Sequence, residues 1–178
     1  EYLDPQKRRN LSMAFVPENR LGHSAVPELT LSENILLSQF PNNKFSKNGI
    51  LNRNSIEDYA IKVIENFNVV TPGSDAKASS LSGGNLQKFV IGREISSKPK
   101  LLIISHPTWG IDAGAEHSIR ESLIALSKNG TSIIVLSQDL DELIEITHRI
   151  SVIFEGKLSQ SINTKDVDYR LWIDILLG

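Results

Sequence analysis

From about residue 81 onward, apolar runs of strand length alternate with segments of helical periodicity, and few folds accept that order. The runs occupy residues 101–104, 133–136 and 152–154 and read as buried-type strands. Between them, Ala115, Ile119, Leu123 and Leu126 line one helix face, which Asn129-Gly130 closes, and Asp139-Leu140-Asp141-Glu142 opens the next helix. Strand, helix, strand in this order predicts a parallel sheet in an α/β lobe.

Upstream, residues 13–16 form a short apolar run closed by Pro17, which removes the next ladder donor, so a strand is expected there. A loop is expected over 17–29. Thr30-Leu31-Ser32-Glu33 has capping-box spacing, which starts a helix running to about Leu37. Residues 42–54, rich in Asn, Lys and Gly, read as an exposed loop. Ser55 is then expected to cap a helix carrying Ile56, Ala60, Val63, Ile64 and Phe67 on its buried face. Three regions result: 1–29, the end of a core strand and a loop; 30–80, mostly helical; and 81–178, a helix start followed by the α/β lobe.

Composition narrows the function classes. A chain of 178 residues with 40% hydrophobic and 22% charged residues can bury a core without disulfides or metal. The formal net charge of -2 leaves no basic footprint, so nucleic acid is not an expected partner. With no cysteine there is no thiolate chemistry. No apolar run approaches the ~20 residues of a membrane span, so any membrane role is expected to be peripheral. Opening on Glu-Tyr-Leu-Asp-Pro without an initiator Met, the sequence reads as a segment of something longer.

The strongest chemical signal is Leu81-Ser82-Gly83-Gly84-Asn85-Leu86-Gln87-Lys88, immediately before a helix running to about Ser97. Two glycines allow close backbone approach to an anion, the serine adds a hydroxyl, and the helix N-terminus contributes its positive end. Taken alone, Ser-Gly-Gly reads first as a flexible turn before a capped helix.

The longer context resembles the ATP-binding cassette (ABC) family. Residues 78–94 resemble its signature motif, with asparagine at the fifth position as in simple-sugar and nucleoside importer ATPases. Ser105-His106-Pro107-Thr108-Trp109-Gly110-Ile111-Asp112 resembles the end of the Walker B strand and the D-loop. Ile134 through Glu142, and on to Arg149-Ile150-Ser151-Val152, resembles the switch region and final core strand. Val16-Pro17-Glu18-Asn19-Arg20 resembles the Val-Pro-Glu-Asp-Arg segment that replaces the Q-loop in the second cassette of double-cassette importers. Phe67-Asn68-Val69-Val70-Thr71-Pro72 resembles the nucleoside-type branch, and Leu176-Leu177-Gly178 resembles the end of the second cassette.

The resemblance implies a partial P-loop NTPase (RecA-like) cassette with a helical signature subdomain. Ser82, Gly83, Gly84 and Asn85 would meet a nucleotide held by another cassette, with Asp112 and Glu18 at the interface. No Gly-x-x-x-x-Gly-Lys-Ser/Thr is present, so the phosphate loop and the adenine-stacking aromatic would lie upstream, and the isolated chain is expected to bind ATP weakly or not at all and to be inactive. Ser105 and His106 stand where the family carries its Walker B aspartate and glutamate, and Gln138 replaces the switch histidine. No catalysis or metal binding is expected in that site, because magnesium prefers charged oxygen ligands. By position His106 could be a base; the plainer reading is a histidine that fills or hydrogen-bonds a degenerate site. His23, His117 and His148 read as surface or helix residues, and Trp109 as packing beside the D-loop.

The parent would use ATP and magnesium. Its partners would be the first cassette of the same chain, a second copy, the membrane permease and, indirectly, an extracytoplasmic solute-binding protein. It would sit peripherally on the cytoplasmic face of the plasma (inner) membrane. The alternatives are a nonenzymatic regulatory module and a DNA-repair ABC-type ATPase, whose long coiled-coil insertions this chain lacks. Loss of the phosphate-loop strand predicts an exposed sheet edge and a tendency to oligomerise.

Overall fold

The computed structural model describes residues 2–39, 45–47 and 49–167. These form two compact units, residues 1–136 and 137–178.

The first unit is built on β1 (Met13–Val16), β4 (Leu101–Ser105) and β5 (Ser132–Leu136), all parallel, in the order β1-β4-β5. Register places Phe15 beside Ile103 and Ile103 beside Ile134. Because side chains alternate along a strand, Ala14, Val16, Leu102 and Ile104 share the other face, and all four are buried. Helices α4 (Gly83–Ser96) and α5 (Ala113–Lys128) pack on each other and on β1 and β5. Ala115, Ile119, Leu123 and Leu126 are the buried stripe of α5, and the helix ends at Asn129 with Gly130 at φ +94°. The opposite sheet face stays open: Phe15 is 48%, Ile134 50% and Leu136 40% exposed. Parallel sheets are ordinarily covered on both faces. The run at 133–136 is therefore a half-exposed edge strand rather than a buried one.

Helix α1 (Pro5–Asn10) precedes β1, and between β1 and β4 come α2 (Leu31–Gln39), a hairpin of β2 (Ser46–Lys47) and β3 (Ile50–Leu51), and α3 (Arg53–Asn66). The capping box forms as expected: Thr30 N–H donates to Glu33 Oε2 at 2.8 Å and Glu33 N–H to Thr30 Oγ1 at 3.1 Å. The helix start expected at Ser55 lies earlier. Asn52 is the cap, its Oδ1 accepting from Ser55 N–H at 3.1 Å, because asparagine satisfies a first-turn donor as well as serine does. The stretch expected to be an irregular loop contains the β2–β3 hairpin; residues 40–44 and 48 lie outside the described set. Ile56, Ala60 and Val63 form the buried face of α3, which packs on α2 and α4.

Tyr59 on α3 meets Phe45 edge to face, ring centroids 5.6 Å apart. Burial, with the negative Glu94 adding to it, pushes its phenol up to about 12. An acid whose pKa rises on folding keeps its stabilising contribution below its unfolded value of about 10 and loses it as pH climbs from there toward 12. Tyr59→Phe is expected to flatten that alkaline loss in unfolding midpoints taken between those limits; an unchanged slope would show that another group carries it.

The second unit contains α6 (Leu140–Ile146), β6 (Arg149–Ile150), β7 (Ile153–Phe154), β8 (Lys157–Leu158) and β9 (Ile162–Asn163). Asp139 caps α6 by accepting from Glu142 N–H at 3.0 Å, where the sequence places a helix start. The parallel strand expected at 152–154 is corrected: β7 pairs antiparallel with β8, and Ile153 and Phe154 are exposed. Glu155 at φ 46° and Gly156 at φ 75° make the tight turn that brings the chain straight back. The final residues 176–178 lie outside the described set.

Candidate functional site

Helix α4 is 14 residues long and starts because Ser82, in extended backbone at φ -61° and ψ 155°, caps it. Ser82 Oγ accepts from Asn85 N–H at 3.4 Å and from Asn85 Nδ2 at 3.0 Å. Asn85 Oδ1 in turn accepts from Val70 N–H at 2.9 Å. The first intrahelical bond is Leu86 N–H to Ser82 O at 2.9 Å, so the N–H groups of Gly83 and Gly84 lie ahead of the ladder. Ser82 and Gly83 are exposed. One hydroxyl, two unengaged amides and the positive end of a long helix therefore converge on solvent, a donor set suited to an anion such as phosphate. Asn85 is near in sequence, and each end of its amide makes a bond within the protein, to Val70 N–H and to Ser82 Oγ.

The end of β4 lies against this helix. Gln87, buried on α4, donates Nε2 to Pro107 O at 3.1 Å and to His106 O at 3.4 Å. His106 adopts left-handed backbone at φ 47°, its N–H bonds Leu136 O at 2.8 Å, and its ring tilts on Trp109 at 5.6 Å. Trp109 is 64% exposed, so it covers His106 rather than filling a core. A Cβ on Gly84 would lie 3.7 Å from Gly110 O and from Ile111 Cγ2, which places the start of α4 beside the 110–111 turn. Asp112 caps α5 through Ala115 N–H at 2.9 Å and pairs with Lys88 Nζ at 3.3 Å. Those two donors, the Ala115 amide first, hold its carboxyl below the usual range.

Arg20 is absent from the residues that sequence reasoning assigned to the site. Its guanidinium donates to Trp109 O, and its Nη1 lies 3.0 Å from where a Gly83 Cβ would stand. No ion pair joins it to a carboxylate among the described residues. The signal available in the sequence was its place in Pro17-Glu18-Asn19-Arg20, but nothing local showed that the side chain reaches the α4 start.

Ser105 offers a hydroxyl at the strand end and His106 an imidazole, and neither side chain is a carboxylate. Among the described residues no cluster of three His, Cys, Asp or Glu side chains is set to hold a metal. This strand end does not fit magnesium, which needs carboxylate or phosphate oxygens around it. Glu18 is exposed, and Gln138, also exposed, belongs to the second unit. His23 faces Asn19, His117 pairs with Glu121 at 3.5 Å, and His148 is exposed.

No protein-family model matches the chain. It is 39% identical over 173 residues to the nucleoside import ATP-binding protein NupA of Lactococcus lactis subsp. cremoris, covering 97% of this chain and 34% of that protein. Against the glucose import ATP-binding protein TsgD13 of Haloferax volcanii it is 37% identical over 158 residues, covering 88% of this chain and 29% of the relative. It thus spans about a third of the length of these curated relatives. Among solved structures, a dimeric ATP-binding cassette in a post-hydrolysis state bound to ADP and Pi superposes with a TM-score of 0.74 at 20% identity, covering 91% of this chain and 68% of that one. The ATP-binding subunit of an ABC transporter does so with a TM-score of 0.73 at 20% identity, covering 98% and 67%. Over most of its length the chain thus matches one part of sugar and nucleoside import ATP-binding proteins, and its fold is that of part of an ATP-binding cassette.

Proposed function

We propose that the chain is the larger part of the second, C-terminal cassette of an importer ATPase, which couples ATP binding and hydrolysis to uptake of a sugar or nucleoside. The observation that carries this reading is the donor set at the start of α4: the Ser82 hydroxyl and the Gly83 and Gly84 amides, with Ser82 and Gly83 exposed and Gly84 half-buried. They would complete an ATP site whose phosphate loop and catalytic carboxylate belong to the other cassette. Asp112 and Glu18 would lie along the same interface.

A second site, with Ser105 and His106 at the end of β4, would bind nucleotide and turn it over poorly. Ser105 and His106 supply no carboxylate for magnesium and none to polarise a water. The isolated chain, without a phosphate loop, would be inactive. ATP bridging two cassettes favours the closed pair by its differential affinity, and that closure would drive the membrane permease. The open face around Phe15, Ile134 and Leu136 would be covered by the remaining third of the cassette, which this chain does not span. No helix among the described residues is long and apolar enough to cross a membrane; the parent would sit peripherally, on the cytoplasmic face.

Ser82→Ala in the full-length protein is expected to lower ATP turnover about 100-fold, the usual cost of one phosphate- or oxyanion-directed donor. Ser105→Ala should leave turnover nearly unchanged. The reverse ranking would sink the proposal, and turnover indifferent to both would favour a nonenzymatic module.

A further inference from the structure

The amide of Asn85 is held in one orientation by a group that can only donate. Val70 N–H points at it from 2.9 Å, so the atom it meets must be the carbonyl oxygen, Oδ1. The amino end then faces Ser82, 3.0 Å from its Oγ. An amino group can only donate, so Ser82 Oγ accepts there, and it accepts again from Asn85 N–H at 3.4 Å. A hydroxyl has two acceptor sites and one proton. With both acceptor sites engaged, the proton of Ser82 must leave in the remaining direction, away from the helix.

From this we infer that Asn85 is a positioning residue: it touches no ligand itself but fixes the Ser82 hydroxyl as an outward donor. The inference rests on the reading of Ser82 given under the proposed function. A serine without that constraint shares its proton among several rotamers, including ones directed at water or at neighbouring carbonyls. Fixing it beforehand spares the cost of reorientation when the anion arrives, which is how preorganised donors gain their effect.

Val70 is itself well anchored. The preceding residue, Val69, is buried, and its N–H bonds Ile64 O at 2.9 Å near the end of α3. The direction of the Ser82 proton is therefore tied to the connection between α3 and α4, not to α4 alone. A shift of that connection would release the amide and, with it, the hydroxyl.

The test is a double-mutant cycle on ATP turnover of the full-length protein, with thermal unfolding followed in parallel. Asn85→Ala is expected to lower kcat about 10-fold, the worth of one well-made hydrogen bond, and Ser82→Ala about 100-fold. In the double variant the loss should stay near that of Ser82→Ala alone, because a residue acting through another adds nothing once the other is gone. Asn85→Asp keeps the shape and the acceptor for Val70 while turning the second oxygen toward Ser82, so the hydroxyl proton is drawn inward; its loss should exceed that of Asn85→Ala. Additive losses of about 1,000-fold in the double variant overturn the inference, as would wild-type turnover in Asn85→Asp. Should Ser82→Ala itself leave turnover unchanged, the functional reading falls first and the inference with it.

Discussion

Glu94→Ala is expected to destabilise the protein by about 3–5 kcal/mol, the usual result of removing one member of a buried ion pair. Glu94 on α4 is 0% exposed and accepts from Ser38 Oγ at 2.8 Å, Arg93 Nε at 2.9 Å and Arg9 Nη1 at 3.4 Å. Arg93 is 4% exposed, and its other donors go to Ser24 O at 2.8 Å and Asn34 O at 3.4 Å. Deleting the carboxylate strands a guanidinium away from water, and that uncompensated charge, more than the lost attraction, accounts for the effect.

Two companion variants separate these contributions. Glu94→Gln keeps the shape and two acceptor or donor positions, so its loss should be smaller. Arg93→Met combined with Glu94→Leu removes both charges, and should recover much of what Glu94→Ala loses, since a matched apolar pair is often neutral relative to a buried ion pair. Denaturant midpoints at constant m-value provide the measurement. If the double replacement is as damaging as Glu94→Ala, the network owes its worth to the bonds Arg93 makes to Ser24 and Asn34. Those bonds hold the 20–29 loop and the start of α2 against α4, so the network also fixes the backbone from which Arg20 reaches toward Gly83.

Much of this architecture can be read from local chemistry. The Thr30 and Glu33 box, the helix start at Asp139 and the Ala115, Ile119, Leu123, Leu126 stripe involve partners three or four residues apart, and each forms as the spacing predicts. The departures involve competition or distance. Asn52 displaces Ser55 because two good caps stand three residues apart, and only the course of the chain out of the hairpin decides between them. The run at 152–154 has strand composition, but Glu155-Gly156 turns it into a hairpin, and Glu-Gly is a weaker turn signal than Asn-Gly or Asp-Gly. In the site, the Ser-Gly-Gly segment was legible. The inward amide of Asn85, the Gln87 bridge to residues 106–107 and the reach of Arg20 were not, because each depends on a partner 15 or more positions away. Arg93-Glu94 would pass in sequence for an exposed helix pair; Ser24, Asn34 and Ser38, far upstream, are what make its burial tolerable.

Gly92 shows the same limit with the opposite sign, and it carries the second large stability effect expected here. In the middle of α4 a glycine costs about 1 kcal/mol relative to alanine, so local reasoning says that Gly92→Ala stabilises. The packing says otherwise. A Cβ at Gly92 would stand 2.5 Å from Phe67 Cδ2 and 2.7 Å from Cγ, well inside contact distance. Phe67 terminates α3 as its C-cap, with its N–H bonded to Val63 O at 3.2 Å, so the ring cannot slide away without disturbing the helix end. Overpacking of this kind costs about 1–3 kcal/mol, which cancels or exceeds the propensity gain. For Gly92→Val, which adds two further methyl groups against the ring and brings a poorer helix former, the net loss should approach about 3 kcal/mol. Phe67→Ala should be destabilising alone and yet relieve part of the Gly92→Val defect when combined with it, a coupling that independent sites do not show. Additive losses in that pair would mean that Gly92 is not there to admit Phe67. A lowered midpoint for Gly92→Val together with such relief would establish that α3 and α4 meet through a glycine for steric reasons, and that the connection bearing Val70, and through it Asn85, is set by that contact.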